Sequence, residues 1–132
     1  MKNLLLIILV FSSLILAACG GGTGEVATPD SIPDEFAGKV NPLGADAATA
    51  GAVIFKNNCT ACHGEQGHGD GPAGASLSPA PKDLPELAST VGDDYLFWRI
   101  ATGKSGTSMV GWKGILTDEQ IWQVVAFINT LK

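Results

Sequence analysis

A C-x-x-C-H motif constrains the fold of this chain more than any other feature; it is formed by Cys59-Thr60-Ala61-Cys62-His63. The pattern is typical of covalent c-type haem attachment. Two thiols three positions apart can each reach one vinyl group of the porphyrin, and the next residue then supplies a nitrogen ligand to the iron. The sequence therefore predicts one haem c, bound through Cys59 and Cys62, with His63 as an axial ligand.

Three other interpretations of the motif are weaker. A structural zinc site needs four ligands. Beyond the motif the chain offers only His68, because Cys19 is predicted to carry a lipid. A thioredoxin-like dithiol would lie beside a βαβ pattern, and no stretch of strand length alternates with period two. A disulfide across two residues would be strained. Haem attachment remains the preferred interpretation.

Two residues are candidates for the second axial ligand. His68 is five residues beyond His63, and five residues span at most about 17 Å, which leaves almost no slack for a path around the ring. We expect His68 to be a loop residue near solvent. Met109 is the only methionine after Met1 and lies in a loop rich in Gly and Ser, far enough along the chain to wrap the ring. Ligation by His63 and Met109 would fill both axial positions and raise the reduction potential.

The amino-terminal segment has the layout of a bacterial lipoprotein signal peptide. Lys2 precedes an apolar run that is shorter than the ~20 residues a transmembrane helix needs. The run ends in Leu16-Ala17-Ala18-Cys19, which resembles the lipobox in which the cysteine thiol receives diacylglycerol. We predict a signal peptide over residues 1–18, a lipid on Cys19, and a mature chain on the outer, periplasmic or extracellular, face of the cell membrane.

A flexible tether is predicted over residues 19–44. It opens with a Gly-rich run and continues with prolines and scattered acids, so its composition cannot bury a core. Ile32 and Phe36 are the exceptions. They could dock on the domain or on a partner, although the composition favours a solvated tether.

The remaining residues, 45–132, are predicted to form one small all-α domain. Three or four short helices joined by long loops are indicated, and a bound haem would complete a core that is thin for its length. Helix signals occur at three places: Asp46, Asp93 or Asp94 with Gly103 as the stop, and a capping box of Thr117 and Gln120.

The domain resembles the class I c-type cytochromes. Five features carry the resemblance: the helix with Gly51 and Phe55 before the motif, the loop 64–72, the segment 79–84, the Met109 loop, and a closing helix with Val124 and Phe127. The resemblance implies the small cytochrome c fold wrapped around its haem, with the first and last helices crossing at these small and aromatic residues. Val110 departs from the proline that often follows the ligand methionine.

The resemblance also implies contacts around the haem. A prolyl carbonyl, from either Pro79 or Pro81, would accept the Nδ1 hydrogen of His63 and orient the ring. Trp98 and Trp112 resemble residues that line the haem, where an indole N–H can reach a propionate, but core packing is the favoured role for each. Arg99 and Lys113 could neutralise propionates, although solvated positions are expected for both.

The acidic charge balance limits the classes of partner that the chain is expected to bind. The formal charge of −5 becomes −6 once Lys2 is removed, because 7 basic residues then face 13 acidic ones, and a nucleic-acid binder needs a basic surface. We expect no small-molecule substrate and no enzymatic activity. The expected function is one-electron transfer between redox partner proteins of a respiratory or photosynthetic chain. The alternatives are a fixed subunit of a larger membrane complex and a haem enzyme or gas sensor with an open iron site.

Overall fold

The computed structural model describes residues 30–44 and 46–131, so the predicted signal peptide and Cys19 lie outside the described residues. Within them, five α-helices and one short 3₁₀ turn occur, and the only β-type pairing is an isolated bridge between Lys113 and Leu116. The helices are α1 Ala47–Asn58, α2 Thr60–His63, α3 Leu84–Thr90, α4 Asp93–Thr102 and α5 Asp118–Ile128; the 3₁₀ turn is Gly74–Ser76. The predicted all-α class is confirmed. None of the described helices is long and apolar enough to cross a membrane.

The crossing of α1 and α5 is the most extensive helix–helix contact of the fold. Gly51 on α1 is buried, and a Cβ atom placed there would collide with the main-chain carbonyl of Gln123 and lie 3.0 Å from Cβ of Phe127. One turn further along, the rings of Phe55 and Phe127 pack at a centroid distance of 5.1 Å. Val124 is also buried at the centre of the core. The predicted crossing of the first and last helices is therefore confirmed.

Helix ends follow the predicted signals with one exception. Thr117 and Gln120 form the capping box at the start of α5, and Gly103, at φ +72°, ends α4 with its N–H donated to the carbonyl of Arg99. Asp93 and Asp94 lie in the first turn of α4, as expected. Asp46, by contrast, makes no side-chain capping bond at the start of α1, because its own backbone is already in the helical region. The prediction of a cap there is wrong.

Helix α3 was not predicted from the sequence. Asp83 caps this seven-residue helix by accepting a hydrogen bond of 2.8 Å from the N–H of Glu86, and Pro85 lies in its first turn. These residues form a recognisable start signal, since a capping Asp is followed three positions later by Glu. The helix is short, and only Leu84 and Ala88 are buried on it.

Residues 30–44, which we call the strap, pack on the domain. Phe36 is 5% exposed, and its ring lies 6.2 Å from that of Phe97 on α4. Asn41 donates from its side-chain amide to the carbonyl of Trp122 at 2.9 Å, and Ile32 packs against the same core. The predicted solvated tether is wrong for this part of the chain, because one buried aromatic ring and specific polar contacts fix it. Of the two alternatives for Ile32 and Phe36, docking on the domain holds.

Candidate functional site

The C-x-x-C-H motif lies where α1 gives way to the single turn of α2. The N–H of Cys59 donates to the carbonyl of Phe55 at 2.8 Å, and the N–H of His63 donates to the carbonyl of Cys59 at 2.9 Å. Cys59 and Cys62 are free, half-buried thiols. Burial raises the pKa of the Cys59 thiol to about 12, and the neighbouring Cys62 adds to the shift. This environment favours a neutral sulfur over a thiolate, and a thioether is neutral.

The glycine-rich loop after the motif is packed tightly on it. The N–H groups of Gly69 and Gly71 donate to the carbonyls of His63 and Cys62, at 2.8 and 3.2 Å. A Cβ at Gly71 would collide with the carbonyls of Thr60 and Ala61. The loop therefore needs glycine to approach so closely, and its hydrogen bonds fix the backbone that carries both thiols and the imidazole.

The ring of His63 is oriented by a backbone carbonyl. Its Nδ1 lies 3.4 Å from the carbonyl oxygen of Lys82, a contact at the long end of hydrogen bonding. A carbonyl can only accept, so the proton lies on Nδ1 and the lone pair of Nε2 is free to bind a metal. Burial lowers the pKa of His63, against a smaller opposing effect of the Lys82 carbonyl, which favours the neutral ring that ligation requires.

The sequence predicts a prolyl carbonyl as the acceptor of this hydrogen bond, and that expectation is wrong in detail. The carbonyl of Pro81 lies against Gly69, where a Cβ would be 2.5 Å from its oxygen. Pro79 is exposed, and Nδ1 of His63 faces the carbonyl of Lys82 instead. The next carbonyl after Pro81, that of Lys82, turns towards the imidazole instead. The spacing of residues in the sequence cannot distinguish the carbonyl of Pro81 from that of the next residue.

His68 lies near solvent, as predicted. Its Nδ1 donates to Oδ2 of Asp83 at 2.7 Å, and more than half of its side-chain surface is exposed. The pKa of His68 is raised by this hydrogen bond and by the charge of Asp83. The same carboxylate caps α3, so Asp83 joins the glycine-rich loop to the segment that orients His63. We did not single out Asp83 from the sequence.

Met109 lies in a separate loop after α4. Its carbonyl accepts a hydrogen bond of 3.0 Å from the N–H of Lys104, and its own N–H donates to Oγ1 of Thr107 at 3.1 Å. The side chain is half-buried. Within residues 30–44 and 46–131, the hydrogen bonds of Met109 remain in its own loop, and none of them joins it to the motif. Motif and methionine are therefore presented by two independent loops.

The remaining predicted residues lie on or near α4. Trp98 is half-buried, and the Arg99 guanidinium covers its ring at 3.7 Å. Trp112 packs against the core, and its backbone N–H donates to the carbonyl of Ile100. The Arg99 side chain is only 12% exposed and pairs with Asp30 of the strap. The expectation of a solvated Arg99 is wrong, because stacking and an ion pair hold it; Lys113 is exposed, as expected.

The donor set fits a covalently attached haem better than the alternatives. The motif offers two unpaired thiols and an imidazole whose Nε2 is free. In residues 30–44 and 46–131, no group of three or more His, Cys, Asp or Glu side chains is arranged to hold a metal ion. The thioredoxin interpretation lacks its βαβ unit in the same residues.

Comparisons with known proteins agree with this assignment. Residues 46–128 match the family model described as Cytochrome C oxidase, cbb3-type, subunit III. Cytochrome c6 of Thermosynechococcus vestitus is 34% identical over 86 residues, which cover 65% of this chain and 70% of that protein. The cbb3-type cytochrome c oxidase subunit FixPc of Rhizobium leguminosarum bv. viciae is 32% identical over 89 residues. That match covers 64% of this chain but only 28% of FixPc.

A solved structure is similar in fold. A chain of the reducing HAO-like protein complex of Kuenenia stuttgartiensis superposes with a TM-score of 0.56 and 23% sequence identity. The similarity covers 81% of this chain and 48% of that one. At this identity the likeness concerns the fold alone.

Proposed function

This chain belongs to the class I c-type cytochromes, which bind haem c covalently, and we propose that it is a membrane-anchored carrier of single electrons. The proposal rests on the free thiols of the C-x-x-C-H motif and on the orientation of its imidazole. Two free thiols precede an imidazole whose Nδ1 faces a carbonyl, which leaves Nε2 for a metal. When bound, the haem supplies an iron that gains and loses one electron.

Four side chains hold the haem in this proposal. The sulfurs of Cys59 and Cys62 would form the thioethers, and Nε2 of His63 and the sulfur of Met109 would bind the iron. The Lys82 carbonyl fixes the plane and tautomer of the imidazole and increases its basicity. With both side chains bound, the iron would have no open position for oxygen or peroxide. Ligation by the Met109 sulfur would favour the reduced state and so raise the potential.

The geometry suits electron transfer rather than substrate turnover. Phe55, Val124 and their neighbours form a packed core behind the motif, so the site can keep its shape when the charge on the iron changes. The relatives named cytochrome c6 and FixPc point to the same general role. We propose that the partners are redox proteins in the membrane or periplasm, and that the chain has no small-molecule substrate and no nucleic-acid partner.

The location rests on the amino-terminal signals. We propose that Cys19 is lipidated, and that residues 20–29 connect the lipid to the strap at the outer face of the membrane. The anchor would keep the domain at high effective concentration near its partners.

A fixed subunit of a larger oxidase complex is the second candidate, and the match to a cbb3-type subunit family favours it. One observation favours the mobile carrier. Phe36, which could have served a partner, is buried against Phe97 of its own domain. Solubilisation in mild detergent separates the two candidates, because a carrier is recovered alone and a fixed subunit with its complex.

Visible spectroscopy of the purified haem-loaded protein tests the ligation. We expect a low-spin spectrum with a sulfur-to-iron band in the far red, and no binding of carbon monoxide without denaturation. Met109→Ala should abolish that band, open the site to carbon monoxide and lower the potential. Val110→Ala is the matched control, since Val110 is 62% exposed and adjacent, and it should retain the band. A high-spin wild type would refute the proposed ligation, and a preparation without haem absorption would refute the function.

The anchor is tested separately. Cys19→Ser should shift the protein from the membrane fraction to the soluble fraction while the spectrum stays unchanged. Retention in the membrane after this substitution would refute lipid anchoring at Cys19 and leave the haem assignment intact.

A further inference from the structure

We propose that Asp30, at the start of the strap, is a positioning residue for the loop that carries Met109. Its carboxylate accepts hydrogen bonds from two cations on the domain: Lys104, whose Nζ lies 2.5 Å from Oδ2, and Arg99. These partners are 74 and 69 positions further along the chain. A segment outside the predicted domain thus contacts the base of the methionine loop. The consequence for the iron rests on the proposed ligation by Met109.

Lys104 is the residue that closes the methionine loop, which we define as residues 104–109. Its N–H donates to the Met109 carbonyl at 3.0 Å, and its carbonyl accepts from Oγ1 of Thr107 at 2.8 Å. Oγ1 of Thr107 in turn accepts from the N–H of Met109 at 3.1 Å. The backbone of Met109 is therefore bonded on both sides to groups that depend on Lys104. A contact that fixes Lys104 also restricts Met109.

Arg99 provides the second fixed point for Asp30. Its guanidinium is largely buried, stacks on Trp98 at 3.7 Å, and donates to the carbonyl of Gly103 at 3.3 Å. Gly103 comes directly before the loop, and a Cβ there would lie 2.5 Å from the Met109 carbonyl. Asp30 therefore links the end of α4 to the first residue of the loop. The hydrogen bond from Lys104 lowers the pKa of Asp30, so the carboxylate is ionised near neutral pH.

The strap is held firmly enough to present this carboxylate. Phe36 is buried, and Lys39 lies over its ring at 5.3 Å. The N–H of Gly38 donates to Oδ2 of Asp94 at 2.8 Å, and Asn41 bonds to the carbonyl of Trp122. An exposed ion pair between two mobile side chains contributes little to stability. Here the packing of the strap already restricts the segment that carries Asp30. Forming the ion pair with Lys104 therefore loses less conformational entropy, and the pair can restrain the methionine loop.

Amide hydrogen exchange on the haem-loaded protein tests the inference without relying on electron transfer. In Asp30→Asn we expect the Lys104 amide to exchange about fivefold faster, because loss of the charge weakens the contact that holds the loop closed. The Trp112 amide, which donates to the Ile100 carbonyl at 2.9 Å, should keep its rate. Asp34→Asn is the matched control, since Asp34 is an exposed acid of the same strap. Equal rates for Lys104 in the wild type and Asp30→Asn would overturn the proposal.

The sulfur-to-iron band gives a second readout that a general loss of stability would not reproduce. During urea titration, Asp30→Asn should lose the band at a lower concentration than the wild type, while the helix signal in circular dichroism falls at a nearly unchanged midpoint. A band that is lost together with the helices, with both shifted equally, would overturn the positioning role. Lys104→Gln should reproduce the effect of Asp30→Asn on the band, and the double variant should add little to either. Additive effects would show that the two residues act separately and would refute the proposal.

The outcomes separate this inference from the function on which it depends. A wild type without the sulfur-to-iron band would refute ligation by Met109, and with it the role of Asp30 toward the ligand. A wild type with the band and an unchanged Lys104 amide in Asp30→Asn would refute the inference and leave the function intact.

Discussion

The crossing of α1 and α5 depends on the missing side chain of Gly51, so we predict that Gly51→Ala destabilises the haem-loaded protein. A Cβ at this position would overlap the main-chain carbonyl of Gln123 and lie 3.0 Å from Cβ of Phe127. Neither of these atoms belongs to the flexible end of a side chain. The two helices would therefore have to move apart.

The size of the effect follows from two opposing contributions. Forcing one additional methyl group into a packed core costs about 1–3 kcal/mol, and overlap with backbone places this site near the upper end. Alanine in place of glycine inside a helix stabilises the folded protein by about 1 kcal/mol, because alanine has the higher helix propensity. The net loss is about 2 kcal/mol, which for a domain of this size corresponds to a fall in Tm of about 10 °C. Separation of the helices would also loosen the contact between Phe55 and Phe127.

Urea unfolding followed by circular dichroism, with Soret absorption recorded in parallel, measures this change. Gly44→Ala is the matched control, because a Cβ there meets nothing within 4 Å and the residue lies outside the helices. It should change stability little or raise it slightly, by reducing the freedom of the unfolded chain. A Gly51→Ala protein as stable as the wild type would refute the reasoning, since the helix preference would then outweigh the overlap.

Two further predictions concern a helix cap and a pH-dependent pair. Thr117→Ala should cost about 1 kcal/mol, because the N–H of Gln120 loses its acceptor at the start of α5; an unchanged urea midpoint would contradict this. Asp83 raises the pKa of His68 in the folded state, so the stabilisation is complete below the unfolded value near 6.5 and is lost as pH rises through the raised folded pKa. The difference in urea midpoint between the wild type and His68→Gln should accordingly be larger at pH 5.5 than at pH 8.5. An equal difference at both pH values would show that the ion pair adds nothing.

Local signals in the sequence predicted much of the fold. The capping box at Thr117, the stop at Gly103 and the spacing of Gly51 and Phe55 each depend on residues close together in the chain, and all are found as expected. The haem assignment came from the motif for the same reason. The start of α3 at Asp83 was equally local and was overlooked.

Other features depend on contacts between distant parts of the chain, and the sequence could not supply them. Phe36 lies in a polar segment rich in Gly and Pro, and nothing local indicates that its ring meets Phe97 across some sixty positions. From the sequence alone, Arg99 is expected to be a solvated surface cation. In the structure its guanidinium pairs with Asp30 of the strap, which lies far away in the sequence. The carbonyl that orients His63 lies one residue beyond the expected proline, because backbone direction at that point is set by the packing of Pro81 on Gly69.

Docking of the strap changes the geometry of the proposed anchor. In the proposed anchor, docking of the strap leaves residues 20–29, rather than residues 20–44, between Cys19 and the packed part of the chain. Ten residues span at most about 35 Å even when fully extended, compared with about 85 Å for twenty-five residues. The chain also leaves the domain beside Lys104, at the base of the methionine loop. A carrier held in this way searches a thin layer above the bilayer, so its partners should present their redox centres close to the membrane surface.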